Sequence, residues 1–383
     1  MRRILILSAS YGEGHNSAAR ALRAAFAAAP DVEVEIVDLF AQKAPRLDRL
    51  SRRAYLRVIN HAPGLWSSVY GWLDRSPRAP LLLRTLRGHA RLLARILAAR
   101  QPDAVVSTYP VYAWLFQQLR AAGHPLPPLH TVVTDALTIN SLWYRAPSAG
   151  WFVTDADSAA FLVRAGVPAA RVTVSGFPVA PAFADRDPRT APPDPGVGPR
   201  RILYMINSGR ARALEIAREL VARPDWAITF TAGRDVTLQA QLNELTRHAA
   251  DRCTVLGWTD RIPELLMTHH VVISKAGGAT TQESINALCP MIVNQIVPGQ
   301  EEGNWELLRR HSAGAFAEEP KAIRATVERA FADDALLWRS WRKNLRRLAR
   351  PDAARTIAAQ VLAEIARERS AKSESLATPL GHT

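Results

Sequence analysis

Short apolar runs alternate along the chain with longer stretches whose apolar positions recur every three to four residues. In the first half, Arg3–Ser8, Val32–Asp38, Ala104–Thr108, His130–Thr134, Trp151–Val153 and Val172–Ser175 read as strands, with helical spacing between them, as in Asn16–Ala29 and Leu82–Ala99. Strands alternating with helices predict βαβ units and a parallel sheet. The stretch FADRDPRTAPPDPGVGPR, Phe183–Arg200, breaks the pattern: it is rich in Pro, Asp and Gly and has no apolar period, as a linker does. The alternation then restarts with strands at Arg201–Ile206, Ala227–Thr231, Cys253–Leu256, Val271–Ser274 and Met291–Asn294, separated by helices at Ala211–Val221, Leu238–Ala249, Ile262–Thr268 and Thr281–Leu288. The expected organisation is α/β. Two Rossmann-like, doubly wound domains, 1–182 and 201–349, face each other across a cleft and are joined by the linker 183–200. A helix at 350–368 packs back toward the first domain, and 369–383 is a disordered tail. Ligands of open parallel sheets lie beyond the carboxyl ends of the strands, so the cleft is the expected site.

Composition narrows this picture. At 383 residues and 48 % hydrophobic content the chain can bury two cores. No run approaches the roughly 20 apolar residues that span a bilayer. MRRILILSAS starts like a signal peptide, but Gly12-Glu13-Gly14-His15 follows too soon, and the run reads as a first buried strand. Two cysteines, Cys253 and Cys289, give neither a disulfide framework nor a metal spacing, as expected of a cytoplasmic protein. The net charge of +14 is concentrated: Ala41–Arg100 holds 13 Lys/Arg against Asp48 and Asp74, a balance of +11. Such a window asks for an anionic partner, a lipid surface or nucleic acid.

The loop Tyr11-Gly12-Glu13-Gly14-His15-Asn16-Ser17 follows the first strand and opens a helix. Its glycines allow close backbone approach, and the helix N-terminus favours anions. It is not G-x-G-x-x-G, because Ser17 stands at the third glycine position. His15 at the helix start is a candidate base, or simply caps the turn. Asp135, just past the fourth strand, either orients His15, acts as base itself, or caps a turn. Trp143 and Tyr144 either stack on an acceptor or pack in the core. In Thr154-Asp155-Ala156-Asp157 a divalent-metal reading competes with acids at a helix start, and the second is the expectation.

In the second half, Asn207, Ser208, Gly209 and Gly233 sit in loops after strands, where backbone amides meet phosphate. KAGGAT, with Lys275, Gly277, Gly278 and Thr280, repeats that logic at the next helix start. Glu283 lies one turn into that helix, where a carboxylate reaches ribose hydroxyls. The cluster GQEEGN, with Gln300, Glu301 and Asn304, offers donors and acceptors to several hydroxyls. Amides for a diphosphate, a carboxylate for ribose and a fan of polar groups for a hexose together ask for a nucleotide-diphosphate sugar.

These motifs carry a resemblance. KAGG-x-T-x-x-E with VPGQEEGN is similar to the donor half of monogalactosyldiacylglycerol synthases and processive diacylglycerol glucosyltransferases, grouped with the lipid-intermediate N-acetylglucosaminyltransferase in glycosyltransferase family 28. LILSASYGEGHNSAARAL, QPDAVVSTYP, VVTD and VTVSGFPV fall in the family's order, so the likeness spans about Arg3–Phe316. It implies a GT-B fold and inverting transfer from a UDP-sugar, with no metal and no cofactor beyond the donor. It implies diacylglycerol or a close lipid as acceptor. Carried over by position, His15 and Asp135 belong to the catalytic centre, Gly14 and Glu283 to the donor side with Glu283 on the ribose, and Gln300, Glu301 and Asn304 face the sugar and diphosphate. Trp143 lies near the lipid headgroup. Asn140 stands where relatives usually carry a histidine.

Arg46, Arg49, Arg53 and Arg57 recur at helical spacing, Trp66, Tyr70 and Trp72 follow, and Arg84, Arg87, Arg91 and Arg95 repeat the stripe. Arginines with interfacial aromatics fit a protein lying on an anionic leaflet, here the inner face of the cell membrane; the alternative is a solvated helix face with the aromatics in the core. No nucleic-acid-binding motif accompanies them, and nucleic acid is not the expected partner. The expectation is therefore a UDP-sugar-dependent hexosyltransferase acting on a membrane lipid. The alternatives are a lipid-intermediate N-acetylglucosaminyltransferase, a UDP-sugar 2-epimerase on the same architecture, and a nucleic-acid binder using the basic window.

Overall fold

The computed structural model describes residues 1–10, 13–43, 84–137, 139–207, 209–297 and 301–377, with side chains to 371. The first half builds a wholly parallel sheet from β1 (Arg2–Ser8), β2 (Val32–Asp38), β3 (Ala104–Ser107), β4 (Leu129–Val132), β5 (Gly150–Val153) and β6 (Val172–Val174), in the order β2-β1-β3-β4-β5-β6. It is flanked by α1 (Glu13–Ala27), α2 (Leu39–Lys43), α3 (Arg87–Arg100), α4 (Val111–Ala121) and α5 (Ala156–Arg164). β1 reads as an unbroken apolar run because both its faces are covered. Ile4 and Ile6 pack with Leu22 and Phe26 of α1. Leu5 and Leu7 pack with Leu93 and Leu97 of α3 and Tyr112 and Phe116 of α4.

The second sheet contains β7 (Arg200–Met205), β8 (Trp226–Thr231), β9 (Cys253–Leu256), β10 (Val271–Lys275), β11 (Met291–Gln295) and β12 (Gly314–Phe316), in the order β12-β11-β10-β7-β8-β9. Its helices are α6 (Arg210–Val221), α7 (Val236–Thr246), α8 (Ile262–Thr268), α9 (Gly278–Ala287), α10 (Glu302–Arg310) and α11 (Pro320–Leu348). Strand order reverses between β1 and β3 in the first sheet and between β7 and β10 in the second. Crevices open at such reversals, and the loops flanking them carry most of the described site residues predicted from sequence.

One expectation gains detail and another needs correction. The 183–200 linker joins the two sheets and packs against the second domain. Phe183 is 3 % exposed in a core cluster shared by both domains, Asp194 pairs with Arg339 at 2.8 Å, and Pro193 O accepts from His270 Nε2 at 2.9 Å. Proline and aspartate here fix turns against the second domain rather than supply slack. A disordered tail does not start at 369. Helix α12 (Ala353–Ala377) runs on through it, with Arg369 donating to Asp103 Oδ1 at 2.7 Å and Met1 O at 3.2 Å; residues 378–383 lie outside the described part. Residues 369–371 are exposed, and the Ala, Arg, Glu and Lys of the segment are good helix formers. Ahead of that polar end, Ile357, Val361 and Ile365 of α12 complete the apolar layer over Ile4 and Ile6, so the helix does return to the first domain.

Candidate active site

The turn between β1 and α1 is braced from β2. Asp38 Oδ2 accepts from Ser10 N at 3.0 Å and Ser10 Oγ at 2.8 Å, and Asn16 Nδ2 donates to Ser10 Oγ at 3.2 Å. This places His15 in the first turn of α1, facing the ends of β3 and β4. Thr108 Oγ1 donates to His15 O at 3.1 Å. The imidazole Nδ1 lies 3.0 Å from Thr134 Oγ1, and the ring stands edge-on to Tyr109 at 5.1 Å between centroids. Packing around the ring pushes its pKa down to about 4, partly offset by a backbone hydrogen bond with Thr108. His15 keeps partial exposure and is uncharged at neutral pH, the form that accepts a proton.

Asp135 follows Thr134 directly, and its Oδ2 accepts from Trp143 Nε1 at 2.7 Å. The partner of His15 Nδ1 is thus Thr134, while Asp135 turns a carboxylate oxygen to Trp143. Trp143 is 1 % exposed, so it does not reach a headgroup. Its indole N–H needs an acceptor when buried, and Asp135 provides one. Trp151 Nε1 donates to Trp143 O and Trp114 Nε1 to Leu142 O, both at 3.0 Å, anchoring this turn. Asn140, 4 % exposed, caps the turn by accepting from Leu142 N at 3.0 Å. Asp155 accepts from Ser158 N at 2.7 Å as the N-cap of α5, and Asp157 lies 3.7 Å from Arg310. Among the described residues no group of three or more His, Cys, Asp or Glu is arranged to hold a metal ion.

Across the cleft, Gly277 N-caps α9, and Gly278 begins it. The first amides of such a helix have no partner within it. A methyl group on Gly278 would lie 3.8 Å from Thr134 O, and one on Gly14 would lie 3.8 Å from Ala279 N. The loop beside His15 and the glycine loop therefore touch. Thr280 lies half-buried in the first turn of α9. Asn207 Nδ2 donates to Ser274 Oγ at 2.7 Å, joining the loops at the β7–β10 reversal. Gly209 N-caps α6, and Gly233 takes φ +58° after β8, a backbone conformation that glycine adopts without strain.

Glu283 reaches the other domain: its Oε1 accepts from Ser17 Oγ of α1 at 3.0 Å. Burial raises its pKa to about 7, against the smaller opposing pull of Ser17 and Arg20. Two assignments change. Glu301, 5 % exposed, pairs with Lys275 Nζ at 2.5 Å and accepts from Val297 N at 3.0 Å, so its carboxylate is engaged with the protein rather than open to hydroxyls. Asn304, also 5 % exposed, donates to Ala276 O at 2.9 Å and braces the glycine loop. Ser208, Gln300, Arg53, Arg57, Trp66, Tyr70 and Trp72 lie outside the described residues. Sequence reasoning missed Thr134 as the histidine's partner and Ser17 as the carboxylate's. It also missed Trp258, 65 % exposed after β9 with Arg234 over its ring at 5.6 Å; an aromatic in a loop at a strand's carboxyl end was the available signal. A recess of about 820 Å³ lined by Leu97, Pro102, His124 and Ile365 lies at the amino ends of β3 and β4, away from all of these groups.

The architecture is GT-B, two Rossmann-like domains facing across a cleft. It is shared with the S. aureus MnaA–UDP co-structure (TM-score 0.60, 12 % identity, 93 % of this chain and 95 % of that one). It is shared also with Phytolacca americana UGT2 complexed with UDP-2fluoro-glucose and pterostilbene (TM-score 0.61, 12 % identity, 96 % and 100 %). Residues 15–179 match the family model of monogalactosyldiacylglycerol (MGDG) synthase. A processive diacylglycerol beta-glucosyltransferase of Bacillus mycoides is 24 % identical over 367 residues, 94 % of each chain. The resemblance read from the motifs is thereby borne out.

Proposed function

We propose that the protein is an inverting, metal-independent hexosyltransferase that moves a sugar from a UDP-sugar to a lipid acceptor, most directly diacylglycerol, at an anionic membrane surface. The observation that carries this reading is the meeting of an uncharged His15 with the glycine loop Gly277–Gly278 through Thr134 and Gly14. A base on one wall and a row of unpaired helix amides on the other are what glycosyl transfer needs. The acceptor hydroxyl gives its proton to the imidazole as its oxygen attacks the anomeric carbon. The bond from that carbon to the diphosphate oxygen breaks on the opposite side, which inverts the configuration. The amides at the start of α9 and the Lys275 ammonium then take up the charge of the leaving UDP, the task that a divalent cation performs in other transferases. The names of the relatives, diacylglycerol transferases, and the UDP in the neighbouring structures support the acceptor and donor classes.

Surface attachment draws support from α3, where Arg87, Arg91 and Arg95 are exposed on the side opposite Leu93 and Leu97. Each basic group near an anionic leaflet contributes on the order of 1 kcal/mol. Among the described residues no helix is long and apolar enough to cross a membrane. The test offers radiolabelled UDP-glucose, UDP-galactose and UDP-N-acetylglucosamine with diacylglycerol in anionic vesicles. A labelled glycolipid and free UDP, both dependent on the lipid, are expected. Epimerised sugar or UDP formed without lipid would establish the epimerase instead, and no turnover with any pair would end the proposal.

A further inference from the structure

We propose that Glu301 is a positioning residue. It holds Lys275 at the glycine loop so that the ammonium, and not the Glu301 carboxylate, meets the donor, at its diphosphate. The inference rests on the donor reading above but reassigns an acid that the GQEEGN motif places on the sugar.

Both carboxylate oxygens of Glu301 are engaged by the protein. Oε1 takes the Lys275 ammonium at 2.5 Å, and Oε2 takes the Val297 amide at 3.0 Å. At 5 % exposure, an ionised acid stays in place only with such partners. The Lys275 side chain, by contrast, is one-third exposed, and an ammonium has three donors, so two remain for other acceptors. Lys275 is also the last residue of β10, where the pairing with β11 slips between Ser274 and Lys275. Its Cε and Glu301 Oε1 each lie 3.7 Å from where a methyl group on Gly277 would sit. The cation therefore stands beside the residue that caps α9. Asn304 grips the same loop from the next turn of α10 through Ala276 O at 2.9 Å. The start of α10 thus clamps residues 275–278 at two points, an ion pair on one side of the loop and an amide on the other. A clamp of this kind fixes where a cation meets an anion, and charge-assisted contacts are the ones that depend most on such placement.

The two assignments separate on ligands with and without the hexose. Calorimetric titration compares UDP with UDP-glucose and UDP-galactose on the wild-type chain, Glu301→Gln, Lys275→Met, Lys275→Arg and the Glu301→Gln/Lys275→Met pair. Glu301→Gln is expected to weaken UDP about tenfold and each UDP-hexose by the same factor. Lys275→Met should do likewise, Lys275→Arg should stay within about threefold of wild type, and the double variant should be no weaker than the weaker single, as for residues acting as a unit. Unchanged UDP affinity with a selective loss for the UDP-hexose in Glu301→Gln would overturn the proposal and return the acid to the sugar. If Glu301→Gln does not fold, Lys275→Met decides: equal loss for both ligand classes supports the proposal, and retained UDP affinity overturns it. A wild-type chain that ignores UDP and every UDP-hexose refutes the donor reading itself, an outcome distinct from a failure of the positioning claim.

Discussion

On the first-domain wall of the cleft the chemistry resides in side chains held by neutral partners: His15 by Thr134, and Asp135 by the indole of Trp143. On the second-domain wall it resides in the backbone at the start of α9, and the side chains around it, Lys275, Glu301 and Asn304, bond mainly to one another and to the loop. On the function proposed above, the difference follows from what each wall must do. Removing a proton requires a group whose charge can change, and the partners of His15 Nδ1 and Asp135 Oδ2 are neutral groups. Holding a diphosphate requires fixed positive potential, for which amides and a clamped ammonium serve better than a titrating group. The walls should therefore fail differently when altered.

His15→Ala should show the largest effect, a fall of about 10³ in kcat, within the usual range for loss of a general base, while UDP affinity by calorimetry changes less than twofold. A parallel loss of UDP affinity would mean that the walls do not divide the work. Acid should act next most strongly, and in both domains. His15, His269 and His270 are each pushed down to about 4, chiefly by burial. His270 is fixed as the neutral form, since its Nδ1 accepts from Arg201 N at 2.8 Å while its Nε2 donates to Pro193 O. These groups resist protonation in the folded state but take up protons near 6.5 once unfolded, so stability falls as pH drops from about 6.5 toward 4. Glu283, raised to about 7, works in the opposite sense between 7 and 4.5, which leaves a net difference of two protons among these four groups where the windows overlap; His89 and His130, also lowered by burial, add to it in the same sense as the other histidines. At roughly 1.4 kcal/mol per proton and pH unit, the slope should be visible in melting temperature against pH, and His270→Gln should flatten it.

Trp143→Phe comes third. It removes the indole donor to Oδ2 of the half-buried Asp135, so a loss of about 1–3 kcal/mol in denaturant unfolding should accompany lower turnover, with the donor affinity untouched. The smallest effect belongs to the bond between the walls. Ser17→Ala removes the hydroxyl donated to Glu283 and should shift UDP affinity by only a few-fold, as expected for one partly exposed hydrogen bond of about 1 kcal/mol. The direction is informative: tighter binding would show that Ser17 competes with the nucleotide for the carboxylate.

Much of the architecture was legible because both sheets are buried on their two faces, which makes strands such as Ile4–Leu7 read as plain apolar runs. For the same reason α4 was not: Val111–Phe116 is buried all along and has no period to distinguish it from a strand. At the site, the loops after β1 and β10 were visible from their glycines, but partners were not. Thr134 and Asp135 are neighbours in the loop after β4, and only the fold decides that the threonine meets His15. Acids and amides in GQEEGN spell a ligand-binding loop equally well whether they point at a sugar or, as Glu301 and Asn304 do, at the loop beside it. Trp143 similarly reads as a candidate platform until the turn at Ser141–Trp143 folds it inward.

The return of α12 to the first sheet has a practical reach. Ile357, Val361 and Ile365 cover the same layer that Ile4, Leu22 and Phe26 begin, so the amino-terminal half lacks part of its own lid until the last helix has left the ribosome. A fragment ending near residue 182 should be sticky and poorly behaved when expressed alone, and co-production of a peptide spanning 350–371 should rescue it. Any swing of one domain over the other must also bend the polypeptide at two crossings at once, near 183–200 and near 349–353, which favours rotation about the line joining them over simple separation.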